Sequence, residues 1–113
     1  MQITERAAGG VTILDISGQI TLTRGRDQLL KDKVNSLMHQ GDKHILVNLA
    51  NVTAMDSAGL GELVSAYTTV TKAGGSMKLV NLTKRLHDLL SITKLLTVFD
   101  AYDSEPAALA TFK

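Results

Sequence analysis

The run Ile45-Leu46-Val47-Asn48-Leu49 constrains the fold more than any other segment of this chain. It is nearly all aliphatic, with none of the alternation of a strand that has one face in water, and it is too short for a buried helix. A short apolar run of this kind reads as a strand covered on both faces. Such strands belong to parallel sheets, whose neighbours are joined by crossover helices. Helical patterns do flank it on both sides. Upstream, Leu30, Val34, Leu37 and Met38 recur at helical spacing within residues 24–40, and Gly41 supplies a stop. Downstream, Leu60, Leu63, Val64, Tyr67 and Val70 fall on one face of a helix over residues 57–73, ended by Gly74-Gly75.

The remaining segments extend this plan. Residues 3–6 and 12–16 read as two strands, and Gly9-Gly10 between them suits an antiparallel hairpin. Gly18 is expected to end the second strand. Met77-Lys78-Leu79-Val80 reads as another strand, and Leu86, Leu89, Leu90 and Thr93 as a third helix capped by Thr83. A short strand is expected near residues 98–99. A last helix starts at about residue 105, with Ser104 or Asp103 as its cap and Pro106 in its first turn. The order β-β-α-β-α-β-α-β-α predicts an α/β fold, a mixed sheet of about five strands with about four helices packed on it. With no linker or internal repeat, residues 1–113 are expected to form a single domain.

Composition excludes several functions. A formal net charge of +1 gives no electrostatic bias toward nucleic acid or a membrane surface. The aromatic residues are Tyr67, Phe99, Tyr102 and Phe112, too few for a base-stacking platform. No apolar run approaches the roughly 20 residues of a membrane span. Met1 to Arg6 lack the plan of a signal peptide. Cysteine is absent, which removes disulfides and thiol chemistry and fits a reducing compartment. A cytoplasmic protein is expected, with no cofactor and no metal site of its own. Oligomeric state is left open.

The chemistry concentrates in Met55-Asp56-Ser57-Ala58-Gly59-Leu60-Gly61, between the central strand and the second helix. A helix start leaves backbone N–H groups without partners and carries partial positive charge, so a phosphate on Ser57 is tolerated there. Phosphorylation adds about −1.5 to −2 charge at neutral pH. With Asp56 adjacent and Glu62 near the next turn, a partner docked on a smooth surface would then face a hydrated dianion. Ala58, Gly61, Ser65, Thr68 and Thr69 are small and lie away from the apolar stripe, a face flat enough for close approach. Gly59 and Gly61 are costly in a helix, by about 1 kcal/mol each relative to alanine, so something other than helix stability selects them. The alternative from the residues alone is local: Asp-Ser before an apolar run caps the helix, and the glycines fit a tight turn. A hydrolase is disfavoured, because position 55 is Met where a nucleophile elbow needs Gly, and His39, His44 and His87 have no evident path to Ser57. His44 is expected to be exposed.

Over about residues 1–112 the chain resembles the STAS domain in its stand-alone form as an anti-sigma factor antagonist. Leu14-Asp15-Ile16-Ser17-Gly18, the strand at 45–49, the Asp56 to Gly61 signature, Ala73-Gly74-Gly75, Leu79-Val80-Asn81 and the segment 92–99 follow the family's order. The resemblance implies that Ser57 is a phosphorylation site. It implies that the unphosphorylated protein binds an anti-sigma factor, itself an ATP-using serine kinase, and so frees a sigma factor. A metal-dependent serine phosphatase then resets the switch, and ATP and metal belong to these partners. Asp56, Ala58, Gly59, Gly61, Glu62 and Ser65 form the expected partner surface, with Thr21 and Arg24 from the loop after the second strand. There many members carry acidic residues, whereas this chain has Gln19-Ile20-Thr21 followed by Arg24 and Arg26. That departure implies either a kinase with a compensating acidic or neutral patch, or two arginines that help hold a phosphate on Ser57. The runner-up role is a STAS-like subunit of a larger assembly, such as a transporter or stress-sensing complex, in which Ser57 mainly caps its helix.

Overall fold

A computed structural model describes residues 2–20 and 29–112. The elements are β1 (Gln2–Ala8), β2 (Val11–Ile20), α1 (Leu29–His39), β3 (His44–Met55), α2 (Ser57–Lys72), β4 (Ser76–Val80), α3 (Lys84–Ile92), β5 (Asp100–Tyr102) and α4 (Glu105–Leu109). A short 3-10 turn, Leu95–Thr97, precedes β5. The strands form one sheet in chain order. β1 runs antiparallel to β2, and every later pairing is parallel. The hairpin and the crossover helices therefore produce the mixed sheet that the sequence pattern implies.

Alternate residues of the central strands feed two separate cores, as a period of two requires. Leu14, Ile16, Val47 and Leu49 pack with Leu30, Val34, Leu37, Leu63, Val70, Leu86 and Leu90 from α1, α2 and α3. Val11, Ile13, Leu46 and Val80 meet Ala108 of α4, flanked by Tyr102, Leu109 and Phe112. Ile45 and Leu46 thus belong to opposite faces, which is why the run at 45–49 shows no polar alternation.

Four expectations are corrected. Gly18 does not end β2: it sits at φ +89 beside an irregularity in the register, and the strand continues to Ile20, which is fully buried. β3 runs on to Met55, held beyond Leu49 by its pairing with the end of β2. The last strand lies at Asp100–Tyr102 and not at 98–99, because Phe99 turns its ring into the core, edge-on to Tyr67 at 5.1 Å. His44 is half-buried against Phe112, with ring centroids 5.6 Å apart. The caps follow expectation at Thr83, which accepts from Leu86 N–H at 3.2 Å, and at Ser104, which accepts from Ala107 N–H at 3.3 Å.

A polar strap ties α4 to the sheet. The Arg6 guanidinium bridges Asp15 of β2, at 2.9 Å, and Glu105 of α4, at 2.6 Å. Asn48 donates to Asp15 at 2.8 Å and accepts from Asn81 at 3.1 Å. Arg6 holds the Asp15 carboxyl below the usual carboxylate range, against the opposing effect of partial burial, with Asn48 adding to the shift. A lowered folded pKa stabilises above the unfolded value, about pH 4, and that contribution is lost as pH falls through the lower folded value. The thermal midpoint is therefore expected to fall below about pH 4, and the fall should be shallower in Asp15→Asn. Circular dichroism melts across that range test this, and equal slopes in the two proteins would remove Asp15 as the cause.

Candidate functional site

The end of β3 delivers the chain to α2 through one extended residue. Asp56 has φ −101 and ψ −177, and its carboxylate accepts from Gly59 N–H at 2.7 Å. Its carbonyl accepts from Leu60 N–H at 2.9 Å. Asp56 is thus the N-cap, a role that needs a non-helical backbone and a short acceptor side chain. This corrects the reading in which Ser57 caps. Ser57 is the first helical residue, is exposed, and its hydroxyl bonds to no described residue. No acidic side chain follows in the first turn of α2, and the Asp56 cap meets the positive end of this helix.

The two glycines of the signature do different work. Gly61 is exposed, and a Cβ there would meet nothing within 4 Å, consistent with a place on an open face. Gly59 is buried, and a Cβ built on it would lie 1.7 Å from the Ile20 carbonyl oxygen. Its place in the expected partner surface is therefore corrected: it lets the first turn of α2 rest on the backbone at the end of β2. Glu62 is half-buried and also serves the fold. Its carboxylate accepts from Leu30 N–H at 2.9 Å, satisfying one of the unpaired donors at the start of α1.

Around Ser57, Asp56 and Gly61 are exposed and Ala58 and Ser65 half-buried. Further along α2, the Thr68 and Thr71 hydroxyls turn back to the carbonyls of Val64 and Tyr67, at 3.0 and 2.8 Å. These two hydroxyls are therefore spent on the helix backbone and not offered outward. Thr21 and Arg24, together with Arg26, lie outside the described residues. Of their neighbours, Gln19 is exposed and Ile20 lies under Gly59. His44 stands at the opposite end of β3 from Ser57, and His87 sits beside Asp88 on α3, with Nδ1 3.8 Å from the carboxylate. The Ser57 side chain is open to solvent. A nucleophile would need a positioned base, and none of the described residues hydrogen-bonds the Ser57 hydroxyl. No helix of the described residues is long and apolar enough to cross a membrane.

The STAS-domain family model matches residues 2–108. The anti-sigma F factor antagonist of Paenibacillus polymyxa is 28% identical over 109 residues, covering 96% of this chain and 92% of that protein. The anti-sigma-B factor antagonist of Bacillus subtilis is 38% identical over 87 residues, 77% of each chain. The crystal structure of an anti-sigma factor antagonist from Mycobacterium paratuberculosis superimposes with a TM-score of 0.82 at 19% identity, covering 96% of this chain and 91% of that one. The fold is thus a single α/β STAS domain. The chain belongs to the STAS-domain family of anti-sigma factor antagonists. It is accordingly a regulator and not an enzyme.

Proposed function

We propose that this protein antagonises an anti-sigma factor by partner switching at Ser57. In its unmodified form the start of α2 docks on an anti-sigma factor that is also an ATP-using serine kinase, and a sigma factor is released. The kinase transfers the terminal phosphoryl group of ATP to the Ser57 hydroxyl, whose proton is lost, leaving ADP and a phosphoserine. The dianion occupies the contact itself, so the complex separates without any refolding of the domain. A metal-dependent serine phosphatase hydrolyses the ester and restores binding.

One observation carries this reading: Ser57 opens α2 with an exposed hydroxyl that has no capping duty, because Asp56 performs it. The relatives named for antagonism of anti-sigma factors give the partner class. The test is incubation with the cognate kinase and ATP, followed by peptide mass spectrometry. One phosphate on Ser57, absent from Ser57→Ala, is the expected result. Phosphate found only at other residues would overturn the assignment.

A further inference from the structure

We propose that the open edge of β3 just ahead of Ser57, together with Arg85, receives an extended acidic segment of the anti-sigma factor as an added strand. β4 accompanies β3 only as far as the Asn48–Val80 pair. β3 itself continues to Met55, supported on its other side by β2 up to the Ile20–Met55 pair. Over residues 49–55, therefore, the side facing away from β2 has no strand beside it among the described residues. α3 begins alongside, and a groove of about 220 Å³ remains between them, lined by Val52, Thr53, Ala54, Thr83, Arg85 and Leu86.

A strand edge without a neighbour is a template for another extended backbone, whose N–H and C=O groups complete the ladder. That fixes the conformation of the occupant. Arg85 fixes its charge. The side chain is exposed and has no carboxylate partner among the described residues, whereas Lys84 pairs with Asp88 at 3.7 Å. A guanidinium left without a partner beside a groove matches a carboxylate bidentately, which a lysine cannot do. Ala54 of the groove is followed along the chain by Met55, which ends β3, then by Asp56 and Ser57 at the head of α2. An occupant of this edge therefore lies a short way up the chain from the hydroxyl that the kinase must reach. A phosphate on Ser57 adds negative charge close by in the chain and repels the same acidic segment. This inference rests on the reading of Ser57 as the switch.

Hydrogen–deuterium exchange of the full chain, alone and bound to the kinase with a non-hydrolysable ATP analogue, tests it. Amides within residues 50–55 are expected to exchange at least tenfold more slowly in the complex. Arg85→Glu should weaken binding at least tenfold with an unchanged thermal midpoint, and Lys84→Glu, with the same change in charge, by threefold or less. Unchanged exchange at 50–55 in a complex still lost on Ser57→Asp would overturn strand addition and leave the switch standing. Equal losses in the two charge variants would also overturn it, by reducing Arg85 to general steering. Absence of any complex would overturn the switch reading and this inference with it.

Discussion

Gly59→Ala is expected to lower the thermal midpoint by about 10 °C or more, and Gly61→Ala to raise it by a few degrees. The added methyl at position 59 would sit 1.7 Å from the Ile20 carbonyl oxygen and 2.6 Å from its carbonyl carbon. Both are backbone atoms of a strand paired on its other side with β3, so no side-chain rotation relieves the contact. Either α2 lifts from the sheet or the end of β2 is displaced. Overpacking costs about 1–3 kcal/mol, occasionally more, and a clash with backbone belongs at the upper end. At roughly 4 °C for each kcal/mol in a domain of this size, the shift is large. At Gly61 the methyl enters open space, and alanine gains about 1 kcal/mol of helix propensity. Circular dichroism melts of the two variants decide the matter. A Gly59→Ala protein as stable as the parent would mean that α2 does not approach β2 this closely.

That contrast also shows where the sequence stops being readable. The two glycines stand in the same turn of the same motif, and what separates them is Ile20, a residue far away in the chain. Glu62 reads as a charge on an exposed face for the same reason, since its partner, Leu30 N–H, starts a different helix. The Arg6–Asp15–Glu105 strap joins the first strand to the last helix, and no local pattern announces it. By contrast, everything that depends on periodicity was legible: the hairpin, the crossover helices, the doubly covered strand at 45–49 and the position of Asp56 and Ser57 at the head of α2. Strand ends were less so. Residues 50–55 bury only Val52, and their extended form is imposed by β2, not by a side-chain pattern. Phe99 is apolar enough to suggest a strand, but the core takes its ring. Pairing with β4 falls instead to Asp100, Ala101 and Tyr102, which no hydrophobic alternation marks.

Ser57→Asp should separate binding from stability, and the sign of each effect identifies the switch. An acidic residue in the first turn of a helix is favourable by about 0.3–1 kcal/mol, partly offset here by the neighbouring Asp56 carboxylate. The thermal midpoint of Ser57→Asp is therefore expected to stay within about 2 °C of the parent. Binding to the anti-sigma factor should behave oppositely. A carboxylate forced into a dry contact without a partner costs several kcal/mol, and about 3 kcal/mol corresponds to a loss near 100-fold in Kd. Ser57→Ala removes only an exposed hydroxyl that bonds to no described residue, so it should keep both affinity and stability while escaping phosphorylation. Asp56→Ala is the complementary control: it deletes the bond to Gly59 N–H and is expected to cost about 0.5–2 kcal/mol of stability. Titration calorimetry and thermal melts on the three variants give the answer. If Ser57→Ala melted as low as Asp56→Ala, the hydroxyl would be a cap, and if Ser57→Asp bound as tightly as the parent, charge at this position would not govern the partner. A folded, stable Ser57→Asp protein that no longer binds leaves only the surface at the head of α2 to account for the loss.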